Sequence, residues 1–261
     1  MHLRELQRNW DAFGASDPLW AILTDPAKAG NRWNAEEFFA TGVLEIEEVM
    51  NWIQGIHPLS RWRRALDFGC GVGRLTQPLA TYFEEAIGVD LAPSMIRLAR
   101  QQNLHSDRCR YVLNESADLR CFDDAMFDLI YSGLTLQHMA PRYALAYLAE
   151  FLRVLSPGGA LVFRLPSEPV PNGYWLRLKR SVSDFLYLRV YWKLFRRGQP
   201  FMQMYGIKRE IVLQFLIERG SKPLAVEPDT SAGTKWCGFR YLVIRPDSAD
   251  AGVSGDAQRA T

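Results

Sequence analysis

Short apolar runs recur along the middle of the chain and alternate with segments of helical spacing. Ala65 to Phe68, Ala86 to Asp90, Arg110 to Leu113, Phe127 to Tyr131 and Ala160 to Leu165 read as strands buried on both faces. Between them, Arg74 to Phe83 repeats apolar residues at Leu75, Leu79 and Tyr82–Phe83. A helix from Pro93 carries Met95, Leu98 and Ala99, and Pro141 to Leu155 has the spacing of a third. Strand and helix in this order predict a parallel, doubly wound α/β sheet.

The flanks differ. Residues 1–60 are helical in pattern and carry Trp10, Trp20, Trp33 and Trp52. Asn34 ahead of Glu36 and Glu37 is an N-cap signature, Thr41-Gly42 predicts an interruption, and a second helix from Val43 to Ile56 stops at His57-Pro58. Pro157-Gly158-Gly159 turns the chain into the fifth strand. Beyond Pro166 come a basic, aromatic stretch, a helix from Lys208 to Arg219 closed by Gly220, and strands at Leu224–Glu227 and Phe239–Ile244. The tail, 247–261, is poor in large apolar residues and reads as disordered. The domain reading is therefore a helical segment over 1–60, a domain over 61–246 with an inserted cap at 167–205, and the tail.

Composition narrows the classes. With 261 residues, 48% hydrophobic and 23% charged, the chain is an ordinary globular protein. A net charge of +2 gives no global case for a nucleic-acid partner. Cys70, Cys109, Cys121 and Cys237 form no C-x-x-C, and His2, His57, His105 and His138 have no zinc-ligand spacing; no metal is expected, and free thiols fit a cytoplasmic protein. No signal-peptide core stands at the N-terminus, and no uncharged run reaches the roughly 18 residues of a membrane span.

The candidate chemistry begins at Asp67-Phe-Gly69-Cys-Gly71-Val-Gly73, where the first strand ends. Glycine at these positions lets a ligand approach main-chain N–H groups, and the following helix offers its positive end. The dinucleotide fingerprint G-x-G-x-x-G would need glycine where Arg74 stands, which disfavours a nicotinamide cofactor. Asp90 ends the second strand, where a carboxylate can accept both hydroxyls of a ribose.

LDFGCGVGRLTQPLA, IGVDLAPSMIRLAR, FDLIYSGLTLQHM and LSPGGALVFRLP together resemble the motif series of class I S-adenosylmethionine-dependent methyltransferases, in the broad group acting on small molecules and glycans. The resemblance covers about residues 60–165 and, more loosely, the final helix and strands. It implies a Rossmann-like seven-stranded sheet whose last strand inserts antiparallel beside the fifth, plus N-terminal helices and a helical cap after the fifth strand. It implies S-adenosylmethionine as cofactor. Gly69, Gly71 and Gly73 would wrap the methionine moiety, Asp67 would support the turn and amino group, Asp90 would take the ribose and Leu91 would flank the adenine. Asn114-Glu-Ser-Ala117-Asp118-Leu stands where the family has G-D-A-x-D-L, which places Ala117 and Asp118 at the adenine edge. Tyr131 and Ser132 would pass beside the transferred methyl.

Other residues carry two readings. His138, near the expected mouth of the site, is either the base that deprotonates a hydroxyl acceptor or a packing residue. Trp33, Phe38 and Phe39 are either a lid or the packed face of a helix. From Trp175 to Phe195 apolar residues step by three or four, and residues 172–197 carry seven Arg/Lys against Asp184, a net +6 that leaves −4 for the rest. That pattern suits an acceptor cap, a peripheral membrane contact or a cap with a solvated face. The function expected is methyl transfer to oxygen of a small molecule, sugar or lipid-linked glycan. The alternatives are a nicotinamide-dependent oxidoreductase and a non-catalytic module at a membrane surface.

Overall fold

The computed structural model describes residues 1–170 and 200–247, and within them seven strands form one sheet. They are β1 (Arg64–Phe68), β2 (Glu85–Asp90), β3 (Cys109–Leu113), β4 (Phe127–Ser132), β5 (Leu155–Pro169), β6 (Lys222–Asp229) and β7 (Trp236–Ile244). Their order is β3-β2-β1-β4-β5-β7-β6. The first five pair in parallel, and β7 lies antiparallel between β5 and β6. The seven-stranded, Rossmann-like arrangement expected from the sequence is the one observed. β5 continues past Leu165 to Pro169 because β7 supplies partners as far as Trp236.

Helices α1 (Leu3–Ser16), α2 (Pro18–Ile22), α3 (Ala35–Ile56), α4 (Thr76–Leu79), α5 (Pro93–Gln101), α6 (Pro141–Val154) and α7 (Arg209–Ile217) flank the sheet. Side chains alternate across each strand, so Leu66 and Ile130 enter the core with Phe151 of α6 and Leu216 of α7. Ala65, Leu129 and Tyr131 enter the opposite core with Ile46, Val49 and Ile53 of α3. A third cluster joins Phe13, Ala21 and Phe38 to Val72, Ala92 and Met95, fastening the N-terminal helices over the glycine turn.

Two sequence expectations change. Helix α3 runs unbroken through Thr41-Gly42, its N-cap Asn34 accepting from the Glu37 N–H. Gly42 marks a close approach, since a Cβ there would overlap the Arg74 carbonyl oxygen. The helix expected over Arg74 to Phe83 is only the single turn α4. Pro78 has no N–H to return to the Arg74 carbonyl, which a full helix would require. The basic segment 172–197 and the tail from 248 lie outside the described residues.

Candidate active site

The strand order reverses at β1 and β4, the place where open α/β sheets bind ligands. A cavity of about 360 Å³ opens there, within the roughly 300–1,000 Å³ of small-molecule sites. The N–H groups of Gly69 and Cys70 both donate to the Val89 carbonyl, at 2.7 and 3.0 Å, which ties the glycine turn to the end of β2. Gly69, Gly71 and Gly73 have φ of 78°, 53° and 86°. A Cβ on Gly69 would overlap the Thr135 side chain, and one on Gly71 would lie 2.5 Å from Ile22 Cδ1. Positive φ and close walls together require glycine here.

Asp90 organises the turn. Its Oδ2 accepts from the Gly71 N–H at 3.0 Å and its Oδ1 from the Ala92 N–H at 2.9 Å. Each oxygen keeps a further lone-pair site for a hydroxyl donor. Burial raises its pKa, and the backbone donors oppose that rise. Asp67, fully buried, accepts from Thr76 Oγ1 at 2.7 Å, and burial lifts its pKa to about 7.

Beneath the cavity floor lies an ion network. Glu45 of α3 takes Arg74 Nη2 at 2.7 Å, Arg164 Nη1 at 2.8 Å and the Tyr131 hydroxyl at 2.6 Å. Burial alone would raise its pKa; the two arginines and Tyr131 overcome that and hold it below the usual carboxylate range. Arg74 Nη1 donates to Thr41 Oγ1 at 3.3 Å, and Arg164 Nε lies 3.4 Å from Asp229 Oδ2. The residue that spoils the dinucleotide fingerprint thus ties the glycine turn to α3.

The far wall comes from distant parts of the chain. Leu6 and Trp10 of α1, Met139, Met202 and Met204 line it, while Ile22 of α2 lies against Gly71. Asp11 accepts from the Ser94 N–H through Oδ1 at 2.7 Å, while Ser94 Oγ donates to the Asp11 carbonyl at 2.8 Å. This serves α5, whose own N-cap, Ala92, offers no side-chain bond. The segment carrying Met202 and Met204 is held against the 3-10 turn Leu136–His138: the Tyr205 N–H donates to the Gln137 carbonyl at 2.7 Å. His138 Nδ1 lies 3.0 Å from the Gln203 carbonyl, so it carries the hydrogen, and Nε2 lies 3.2 Å from Gln137 Nε2. Burial lowers the His138 pKa to about 4, leaving a neutral imidazole edge-on to Trp10, ring centroids 5.1 Å apart.

Of the residues singled out from sequence, Asp67, Gly69, Gly71, Asp90, Leu91 and His138 line this one cavity. Gly73 stands behind it, its missing Cβ making room for the Tyr111 ring. Tyr131, Ser132, Ala117 and Asp118 do not line it. Tyr131 points to the α3 side of the sheet, Ser132 Oγ donates to the Phe68 carbonyl at 3.3 Å, and Gly133, Leu134 and Thr135 take the positions expected of the pair. Ala117 is exposed, and the Asp118 carboxylate lies 3.2 Å from Arg120. Phe38 and Trp33 are packed against one another beneath the N-terminal helices, and Phe39 packs on Phe38. The sequence reading missed Leu6, Ile22, Met202 and Met204. The only signal was the amphipathic spacing of α1; the methionines sit in an irregular segment with no motif.

A cradle without Cβ atoms and buried carboxylates at the ends of β1 and β2 suit S-adenosylmethionine. The fold is that of class I S-adenosylmethionine-dependent methyltransferases, and part of the chain carries their domain. Residues 66–163 match a family model described as a methyltransferase domain. Among curated relatives, the chain is similar to 2-methyl-6-phytyl-1,4-hydroquinone methyltransferase of Synechocystis, at 25% identity over 171 residues, 64% of this chain and 52% of that protein. It is also similar to malonyl-[acyl-carrier protein] O-methyltransferase of Yersinia pestis, at 33% identity over 129 residues, 48% of this chain and 46% of that protein. The chain spans about half the length of the curated relatives it matches. Among solved structures, magnesium protoporphyrin IX methyltransferase from Synechocystis with bound S-adenosylhomocysteine shares the fold. The TM-score is 0.62 at 16% identity, covering 93% of this chain and 99% of that one. No helix among the described residues is long and apolar enough to cross a membrane.

Proposed function

We propose that this chain transfers a methyl group from S-adenosylmethionine to an oxygen of a small-molecule acceptor. The observation that carries this is the shared cavity: the glycine turn, Asp67 and Asp90 face one end, and His138 faces the same space. When bound, S-adenosylmethionine would supply an activated methyl on a positively charged sulfur, with the carbon–sulfur electron pair left on sulfur as the acceptor oxygen takes the methyl. The chain's own task is mainly to hold the reactants in line. The glycine turn and Asp90 fix one partner and the far wall fixes the other. α2 closes over the glycine turn through Ile22, beside Gly71.

His138 is the residue that takes the acceptor's proton. Its Nδ1–H is committed to the Gln203 carbonyl, so the lone pair is on Nε2, which exchanges its contact with Gln137 for the acceptor hydroxyl. A pKa near 4 keeps the imidazole free at neutral pH but makes it a weak base. Its contribution therefore belongs at the lower end of the roughly 10²–10⁴-fold range of general-base catalysis. The names of the relatives, a hydroquinone methyltransferase and an O-methyltransferase, support a small-molecule acceptor and an oxygen nucleophile. Residues 172–197 keep the reading of a basic cap that meets the acceptor or an anionic surface. The test is calorimetric: the protein binds S-adenosylhomocysteine, and Asp90→Ala weakens that binding by roughly tenfold to a hundredfold, since hydrogen bonds to a charged group contribute about 1.5–3 kcal/mol. Affinity unchanged within twofold in a folded variant would remove Asp90 from the site.

A further inference from the structure

Arg74 has a donor to spare. It follows the glycine turn and, among the described residues, is the one guanidinium or ammonium side chain lining the cavity. Its stem and its end are both held. A Cβ on Gly42 would lie 2.9 Å from Arg74 Cγ, so α3 presses against the stem. Nη2 donates to Glu45 Oε2 at 2.7 Å and Nη1 to Thr41 Oγ1 at 3.3 Å. Arg74 is only 4% exposed, yet its buried Nε has no hydrogen-bond partner. A guanidinium can only donate, and a buried donor left unpaired is costly and uncommon.

The charge of Arg74 is also only partly answered. Glu45 divides a single carboxylate between Arg74 and Arg164, and the Tyr131 hydroxyl donates to it as well. On the other side of the glycine turn stands Asp67, which lines the same cavity. Burial raises the Asp67 pKa to about 7, while Thr76 and Arg74 oppose the rise, so the two charges act on one another across the turn. A negative and a positive group thus flank one glycine cradle. This is the complement of an α-amino acid, which carries its ammonium and its carboxylate on one carbon. Neither a ribose nor an adenine presents such a pair.

Resting on the methyltransferase reading, we infer that Arg74 binds the carboxylate of the S-adenosylmethionine amino acid, which accepts a hydrogen bond from Nε. Such charge-assisted bonds are roughly twice as strong as neutral ones. Glu45 and Thr41 are then positioning residues. By taking the two terminal nitrogens they keep the side chain from swinging away and leave Nε as the donor for the ligand. The residue that breaks the dinucleotide fingerprint thereby acquires a task that a glycine at position 74 could not perform.

The test compares S-adenosylhomocysteine with its decarboxylated analogue, S-adenosyl-3-thiopropylamine, by calorimetry on the full chain. The wild type should bind S-adenosylhomocysteine at least about tenfold more tightly. In Arg74→Met, where Glu45 keeps Arg164 and Tyr131, the two affinities should fall within about threefold of one another. The loss should lie almost wholly with S-adenosylhomocysteine. In the isotope-labelled wild type, the Arg74 Nε–H magnetic resonance should move with S-adenosylhomocysteine and stay in place with the analogue. That measurement decides the matter if the variant does not fold. A wild-type gap below about threefold, a gap that survives Arg74→Met, or an unmoved resonance would overturn the assignment of the carboxylate alone. Failure of both ligands to bind the wild type would overturn the methyltransferase reading along with it.

Discussion

The two ends of the cavity are assembled from different distances along the chain. The cofactor end uses residues 67–92: one strand, a glycine turn and the end of the next strand, joined by hydrogen bonds from Gly69, Cys70 and Gly71 to Val89 and Asp90. The apolar end gathers Leu6 and Trp10 of α1, Met139 and the segment at 202–204, which lie far apart along the chain. The first end is held by backbone geometry and carries the charges. The second is held by side-chain packing and a few tie points, and carries none. On the proposed function, cofactor binding falls to a local motif and acceptor contact to segments gathered from far along the chain.

The network under the cavity is where the ends are most sharply distinguished. Glu45→Gln leaves Arg74 and Arg164 buried without their shared carboxylate and should destabilise the protein by about 3–5 kcal/mol, read from urea denaturation. A loss below about 1 kcal/mol would mean that α3 is held by its apolar face alone. Next in size is an acid effect from the apolar end. The unfolded chain protonates His138 below about pH 6.5, whereas the folded chain does so only near 4, so stability falls as the pH drops through that window, by up to about 3 kcal/mol. His138→Gln should flatten the denaturation midpoint between pH 6.5 and 4; an unaltered slope would show that His138 is not held neutral. Asp67 works in the reverse sense. Its folded pKa near 7 lies above the unfolded value, so it costs stability as the pH rises from about 4 to 7. The smallest effect belongs to the tie of α1. Asp11→Ala removes the donated cap of α5 and should cost about 1 kcal/mol. It should speed amide exchange in α1 while S-adenosylhomocysteine affinity stays within twofold, because the glycine turn does not depend on that tie. A large loss of cofactor affinity would show that the ends are not separable.

Much of the fold was legible in advance. The alternation of short apolar strands with helices over residues 65–165 is that of a parallel α/β sheet, and six strand and helix starts fall within two residues of those observed: Ala65, Ala86, Pro93, Arg110, Phe127 and Pro141. Misreadings arose where one residue type serves two purposes. Gly42 looked like a helix break and proved to be a close contact with Arg74. Tyr131 and Ser132 were expected beside the methyl, yet the strand's alternation turns Tyr131 to Glu45 and places Gly133 to Thr135 at the cavity.

By itself the sequence determined the glycine turn, the carboxylates at Asp67 and Asp90 and the order of elements, because each depends on backbone conformations and hydrogen bonds between residues close along the chain. Only the tertiary structure decided which face of α1 covers the cavity, that Glu45 clamps Arg74 and Arg164, and that Met202 and Met204 line one cavity with Trp10 and His138. Those contacts join residues far apart along the chain, 29 positions for Glu45 and Arg74 and 119 for Glu45 and Arg164, and packing at such separations leaves no period or spacing to read.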